Sequence, residues 1–212
     1  MTPYTTIPSH GFLLVLSGPS GAGKGTLVHR ILPQFPQLEL SVSATTRKPR
    51  PGETYGKDYL FMSEESFQGQ IERDGFLEWA EVHGHFYGTP RQQVLDRLAA
   101  GRIVLLEIDT QGAQNVMATR PAELVSIFVT PSTGSALRER LIGRGTETPE
   151  DLAIRLGNAI KEAEAIPHFE YLVINDHLEG AVLDLSSIIR AELQRVRRFT
   201  GTLHLAATLE TV

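Results

Sequence analysis

Residues 12–27 read FLLVLSGPSGAGKGTL. The first six form an unbroken apolar run ending at Ser17, the pattern of a strand buried on both faces in a parallel sheet. A glycine-rich turn follows, and KGTLVHRILPQF then reads as a helix stopped near Pro33. Within that strand–loop–helix context, Gly18, four intervening residues, Gly23 and Lys24 spell a phosphate-binding loop. Glycines let backbone amides converge on phosphate oxygens with no Cβ in the way, and the following helix aims its positive end at the same anion. Lys24 adds a point charge for the outer phosphates. The loop's candidate phosphate contacts are Gly18, Pro19, Ser20, Gly21, Ala22, Gly23, Lys24, Gly25 and Thr26.

Gly25 is the anomaly, standing where a Ser or Thr hydroxyl ordinarily meets magnesium. Mg²⁺ keeps several waters and leans on substrate phosphates, so one missing hydroxyl need not abolish its site. Thr26 supplies a hydroxyl one residue later.

Working outward, similar apolar runs recur at 102–109 (RIVLLEID), 124–131 (LVSIFVTP) and 171–176 (YLVIND). Helical patterns occupy 90–100, 132–142 and 149–166. The alternation predicts an α/β fold, a three-layer parallel sheet with ligands at the carboxyl ends of its strands. Residues 41–89 break the rhythm with aromatic, alternating runs such as FLEWAEV and HFYGT, and read as an inserted, β-rich lobe. GRGTETPE at 143–150 is a Gly- and Thr-rich loop flanked by arginines, the composition of a mobile helical lid over about 138–156. Residues 1–10 and 199–212 read as tails, leaving 11–198 as the folded unit, with core segments 11–40 and 90–198.

Composition narrows the partners. A net charge of −5 disfavours sequence-independent binding to nucleic acid. The apolar run near the start is too short to span a bilayer and lacks preceding positive charge, so no membrane partner is expected. The absence of cysteine removes disulfides and thiolate metal sites and fits a cytoplasmic protein.

An acceptor site is written into SVSATTRKPRPGETYGKDYLF, residues 41–61. Arg47 and Arg50 flank a proline turn, and guanidinium forks suit phosphate oxygens; by composition alone a solvated basic loop beside core aromatics is the favoured reading. Further on, Glu107 and Asp109 are two residues apart at the end of an apolar strand, which predicts that they face the same way. Arg140 and Arg144 lie one helical turn apart, and Arg155 stands across the loop.

Taken together, the 41–61 run, FLEWAEVHGHFYGTP, IDTQGAQ (108–114) and RLIGRGTETPEDLAIRL (140–156) resemble the guanylate kinases, in the same order and over roughly residues 11–195. The GKGT ending of the glycine loop is also similar to that of the adenylate kinases. The resemblance implies transfer of the γ-phosphoryl group of MgATP to GMP, and to dGMP as well, giving ADP and GDP in purine nucleotide metabolism. It implies that Glu78 reads the guanine edge beside hydroxyls of Ser43 and Thr89. Arg47, Arg50, Tyr59 and Tyr87 then clamp the GMP phosphate, with Glu107 and Asp109 near the acceptor nucleoside. Asn175 is implied near the adenine of ATP. Lys24, Arg47, Arg140, Arg144 and Arg155 are the implied catalytic cations. Mg²⁺ is expected to travel on ATP, with Thr26 and Asp109 touching it through water. Glu at 107, where the family often has Asp, and His177, in place of a second Asp after Asn175, depart from its pattern. The competing reading is a non-catalytic interaction module of the same fold; the intact Gly18, Gly23 and Lys24 argue against it. Oligomeric state is not legible in the sequence.

Overall fold

The computed structural model describes residues 10–82, 84–119, 123–143 and 149–201, with backbone alone at 149–151. In chain order the elements are β1 (Leu13–Ser17), α1 (Lys24–Ile31), β2 (Leu38–Leu40), β3 (Ala44–Thr45), β4 (Leu60–Phe61), α2 (Glu64–Glu72), β5 (Phe76–Val82) and β6 (His85–Pro90). There follow α3 (Arg91–Ala99), β7 (Ile103–Glu107), α4 (Thr110–Ala118), β8 (Leu124–Thr130), α5 (Gly134–Ile142), α6 (Pro149–Ala163), β9 (Tyr171–Ile174) and α7 (Leu178–Leu193).

A five-stranded sheet in the order β2-β7-β1-β8-β9 is parallel throughout. Its central strands are apolar on both faces because both are covered. Leu14, Leu16, Leu105, Ile127 and Val129 pack with residues of α1 and α7, whereas Leu13, Val15, Val104 and Leu106 pack with residues of α3 and α4. Each such burial is worth about 1.5–3 kcal/mol, and truncating Leu14 or Leu105 to Ala would cost about 2–5 kcal/mol. Helix α1 stops at Ile31, in line with the expected stop near Pro33, which sits in a 3-10 turn over Leu32–Gln34, where its missing amide costs nothing. Strand β2 was not foreseen; three residues at a sheet edge are too few to show a period.

A second sheet, β4-β3-β6-β5, is built from residues between β2 and α3. Strands β5 and β6 form an antiparallel pair whose buried face carries Phe76, Glu78 and Ala80 in strict alternation. Phe67 of α2 stacks on Phe76 and Phe86, at 4.4 and 5.5 Å between ring centroids, and closes a small core under the sheet. The Asn115 amide of α4 donates to the Trp79 carbonyl at 3.2 Å, tying this sheet to the core.

Beyond α7 the chain turns back. Arg198 is fully buried, its guanidinium 4.1 Å from the centre of the Phe12 ring. It donates to Glu192 at 2.6 Å and Glu123 at 2.8 Å, while its own carbonyl accepts from the His10 amide at 2.8 Å.

Candidate active site

The glycine loop joins β1 to α1 at the carboxyl edge of the parallel sheet. Two of its glycines are dictated by geometry. Gly18 has φ +140°, and a Cβ there would lie 2.0 Å from the Val129 carbonyl oxygen. Gly23 caps α1 in a left-handed conformation, where a Cβ would meet the Asn175 side chain at 2.5 Å. Lys24 folds back to donate to the carbonyls of Gly18 and Pro19. Asn175 is buried, and its amide donates to Ala22 at 2.7 Å, so this side chain braces the loop from below. Thr26 is exposed on the outer face of α1.

Gly25 lies in the first turn of α1, and an ideal Cβ there would stand 3.6 and 3.8 Å from the two carboxylate oxygens of Glu107. The reason is register: Leu16 pairs with Glu107, so the end of β7 lies beside the strand that enters the loop. Burial raises the Glu107 carboxyl above its usual range, with Lys24 and His29 pulling it back.

Glu107 and Asp109 line the same cleft, but not by strand alternation. β7 stops at Glu107, and Asp109 is the N-cap of α4, its Oδ1 accepting from the Gly112 amide at 2.9 Å. The parity argument therefore fails at 109, because the chain has already turned into the helix.

That cleft, of about 330 Å³, joins the two halves of the site. Gly18, Ser20 and Lys24 form one side; Ser43, Tyr59, Glu78 and Tyr87 form the other. Glu78, 7% exposed, accepts from the fully buried Thr89 hydroxyl at 2.6 Å. Burial, reinforced by repulsion from Asp109 and opposed by Thr89, pushes its carboxyl up to about 7. Arg47 is held by Glu53 through paired bonds of 2.8 and 3.0 Å, and its guanidinium lies 5.3 Å from the centre of the Tyr59 ring. Tyr59 and Tyr87 meet edge to face at 6.0 Å. The same Glu53 carboxylate accepts from the Arg50 amide at 2.7 Å, while the Arg50 side chain is exposed.

The candidate lid arginines divide. Arg140 reaches the loop, donating to the carbonyls of Asn175, Asp176 and Ala22. Arg155 donates to the Ser20 hydroxyl at 3.1 Å. Arg144 and most of the GRGTETPE loop lie outside the described residues, as do residues 1–9 and 202–212.

Three residues that the sequence reading passed over belong to this neighbourhood. Glu53 organises the arginine loop. Ser41 and Glu162 line the cleft, each with a buried oxygen lacking a hydrogen-bond partner. Glu162 was legible in principle, since Arg155, Asn158 and Glu162 follow i, i+3, i+7 along one face of α6.

The family model described as "Guanylate kinase" matches residues 11–192. A guanylate kinase of Desulfitobacterium hafniense is 50% identical over 190 residues, covering 90% of this chain and 94% of that one. A guanylate kinase of Dechloromonas aromatica is 49% identical, covering 85% and 89%. The crystal structure of guanylate kinase from Anaplasma phagocytophilum superposes with a TM-score of 0.75 at 34% identity, over 93% of this chain and 94% of that one.

Proposed function

The chain belongs to the guanylate kinase family, and from that premise we propose how its residues move the γ-phosphoryl group of ATP onto GMP. The observation that carries the assignment is the shared cleft, which joins Lys24 and the glycine loop to Glu78, Tyr59 and Tyr87, with the Arg47 guanidinium against the Tyr59 ring.

The loop amides and Lys24 hold the outer phosphates of ATP, with Lys24 exchanging its own loop carbonyls for phosphate oxygens. Glu78, once ionised, accepts from the N1–H and N2–H donors of guanine. Adenine presents an acceptor at N1 and would leave that carboxylate unpaired, a strong basis for rejection. Ser43 and Thr89 complete the base contact. Arg47 and Arg50, joined by Tyr59 and Tyr87, clamp the GMP phosphate. An oxygen of that phosphate, ionised at neutral pH, attacks the γ-phosphorus in line. The bond to the β,γ-bridging oxygen breaks, and ADP leaves with the electron pair. No general base and no covalent enzyme intermediate are required. Arg140 and Arg155, joined by Arg144, offset charge on the equatorial oxygens and exclude water as the lid closes.

Among the described residues no cluster of three His, Cys, Asp or Glu could cage a metal. The Glu107 carboxylate beside Gly25, together with Asp109, fits a hydrated Mg²⁺ carried on ATP and touched through water. When bound, the ion supplies neutralisation of charge between the β- and γ-phosphates. No helix of the described residues is long and apolar enough to cross a membrane. A cysteine-free chain acting on ATP and GMP fits the cytoplasm.

The test is ADP formation from MgATP with GMP, AMP, CMP and UMP supplied separately. Turnover with GMP alone supports the assignment; a folded protein that binds GMP and turns over none of them would favour the interaction-module reading.

A further inference from the structure

Glu162 stands near the end of α6 and lines both the main cleft and a second one of about 300 Å³ beside it. Among the described residues its buried Oε2 has no hydrogen-bond partner. Asp109 lies within electrostatic reach of both Glu78 and Glu162, and Glu162 in turn of Lys24. The polar groups therefore run from the base reader, past Asp109 and Glu162, to the phosphate lysine. All four line one cleft, so a nucleotide with its base on Glu78 has Glu162 among the polar groups open to its sugar.

The inventory of donors points the same way. A buried carboxylate oxygen without a donor is costly, so a ligand that displaces solvent from this cleft is favoured when it supplies one. Phosphate oxygens carry no donors at neutral pH. Guanine's donors face Glu78. The remaining donors on GMP are its ribose hydroxyls. We propose that Glu162 accepts a hydrogen bond from a ribose hydroxyl of the acceptor nucleotide, making it the residue that reads the sugar. Its position on α6, on the same face as Arg155 and Asn158, then gives the lid helix a direct contact with bound GMP. Acceptor binding and lid closure become mechanically linked through one side chain. The proposal rests on the acceptor reading of the cleft, which GMP turnover by the unaltered protein tests separately.

The experiment measures binding of GMP, 2′-deoxy-GMP and 3′-deoxy-GMP by calorimetry, with no ATP or divalent metal present, for the wild type, Glu162→Gln and Glu162→Ala. Omitting the metal removes coordinated water as an alternative donor. The wild type is expected to bind GMP about tenfold or more tightly than one of the deoxy analogues, the loss typical of a hydrogen bond to a charged group. Glu162→Ala should weaken GMP to the level of that analogue and leave the analogue itself unchanged. Glu162→Gln, which keeps the shape, should fall between. An equal weakening of all three ligands would overturn the proposal in favour of a counter-ion role toward Lys24. Unchanged binding of all three, or a wild type indifferent to both deletions, would also overturn it. Melting temperatures of the variants identify any loss of fold.

Discussion

Glu78→Gln should strengthen the empty protein while disabling the enzyme. The folded protein keeps a proton on Glu78 up to about pH 7, whereas the reference value is 4.5. Folding therefore takes up a proton between those values. The neutral carboxyl's contribution is fully present below about pH 4.5 and is lost as pH rises through about 7, where a buried charge must be carried. At one unit per 1.36 kcal/mol, the shift corresponds to about 3 kcal/mol at pH 8. Gln has the same size, still offers Thr89 an oxygen, and carries no charge. Urea unfolding without nucleotide should find Glu78→Gln more stable than wild type by up to about 3 kcal/mol at pH 8, with the gap shrinking to under about 1 kcal/mol at pH 5 and closing below about pH 4.5. The same change puts an amide nitrogen against a guanine donor, and kcat/KM for GMP should fall about 100-fold or more. A variant that gains nothing at pH 8, or gains equally at pH 5, would refute the account of Glu78 as a desolvated carboxylate held ready for guanine.

Further perturbations separate the parts of the site. Lys24→Ala should lower kcat by about 100- to 1,000-fold, the effect of removing one transition-state donor, while costing only about 1 kcal/mol in unfolding experiments. Gly25→Ser should fold normally, because its Cβ meets Glu107 at ordinary contact distance, and should reduce the Mg²⁺ concentration needed for half-maximal rate; a raised requirement would mean the hydroxyl displaces Glu107 rather than assisting it. Glu53→Gln should raise KM for GMP about tenfold with little change in melting temperature, since it releases Arg47 and the Arg50 backbone together.

The phosphate loop was legible because strand, glycines and helix are consecutive in sequence and constrain one another. The core was legible for a related reason: strands covered on both faces carry unbroken apolar runs, so β1, β7 and β8 announce themselves, and the edge strand β9 keeps an apolar run although Leu172 and Ile174 are exposed. Strand β2 did not, because it is three residues long and lies at an edge. Glu78 carried a local signal, a carboxylate at the buried parity of β5, yet its partner Thr89 is adjacent only through the β5–β6 register. Asp109 shows the limit of periodic reasoning: two residues after Glu107 it belongs to a helix cap, not a strand. Glu162 and Lys24 are far apart in the chain and meet only when α6 folds over the carboxyl edge of the sheet. Periodicity places residues on faces of single elements; encounters between elements are a property of the topology.

The buried Arg198 decides where this protein can be cut. The stretch shared with the family ends at residue 192, and a shortened chain designed on that boundary would look complete. It would lack the guanidinium that lies against Phe12 and pairs with the buried Glu192 and with Glu123. Glu192 would keep the Tyr171 hydroxyl but lose its buried cation, and breaking a buried ion pair typically costs 3–5 kcal/mol, a large share of a domain's total stability. The loss would fall at the root of β1, far from any nucleotide, so a truncated enzyme would fail by losing its fold and not its chemistry.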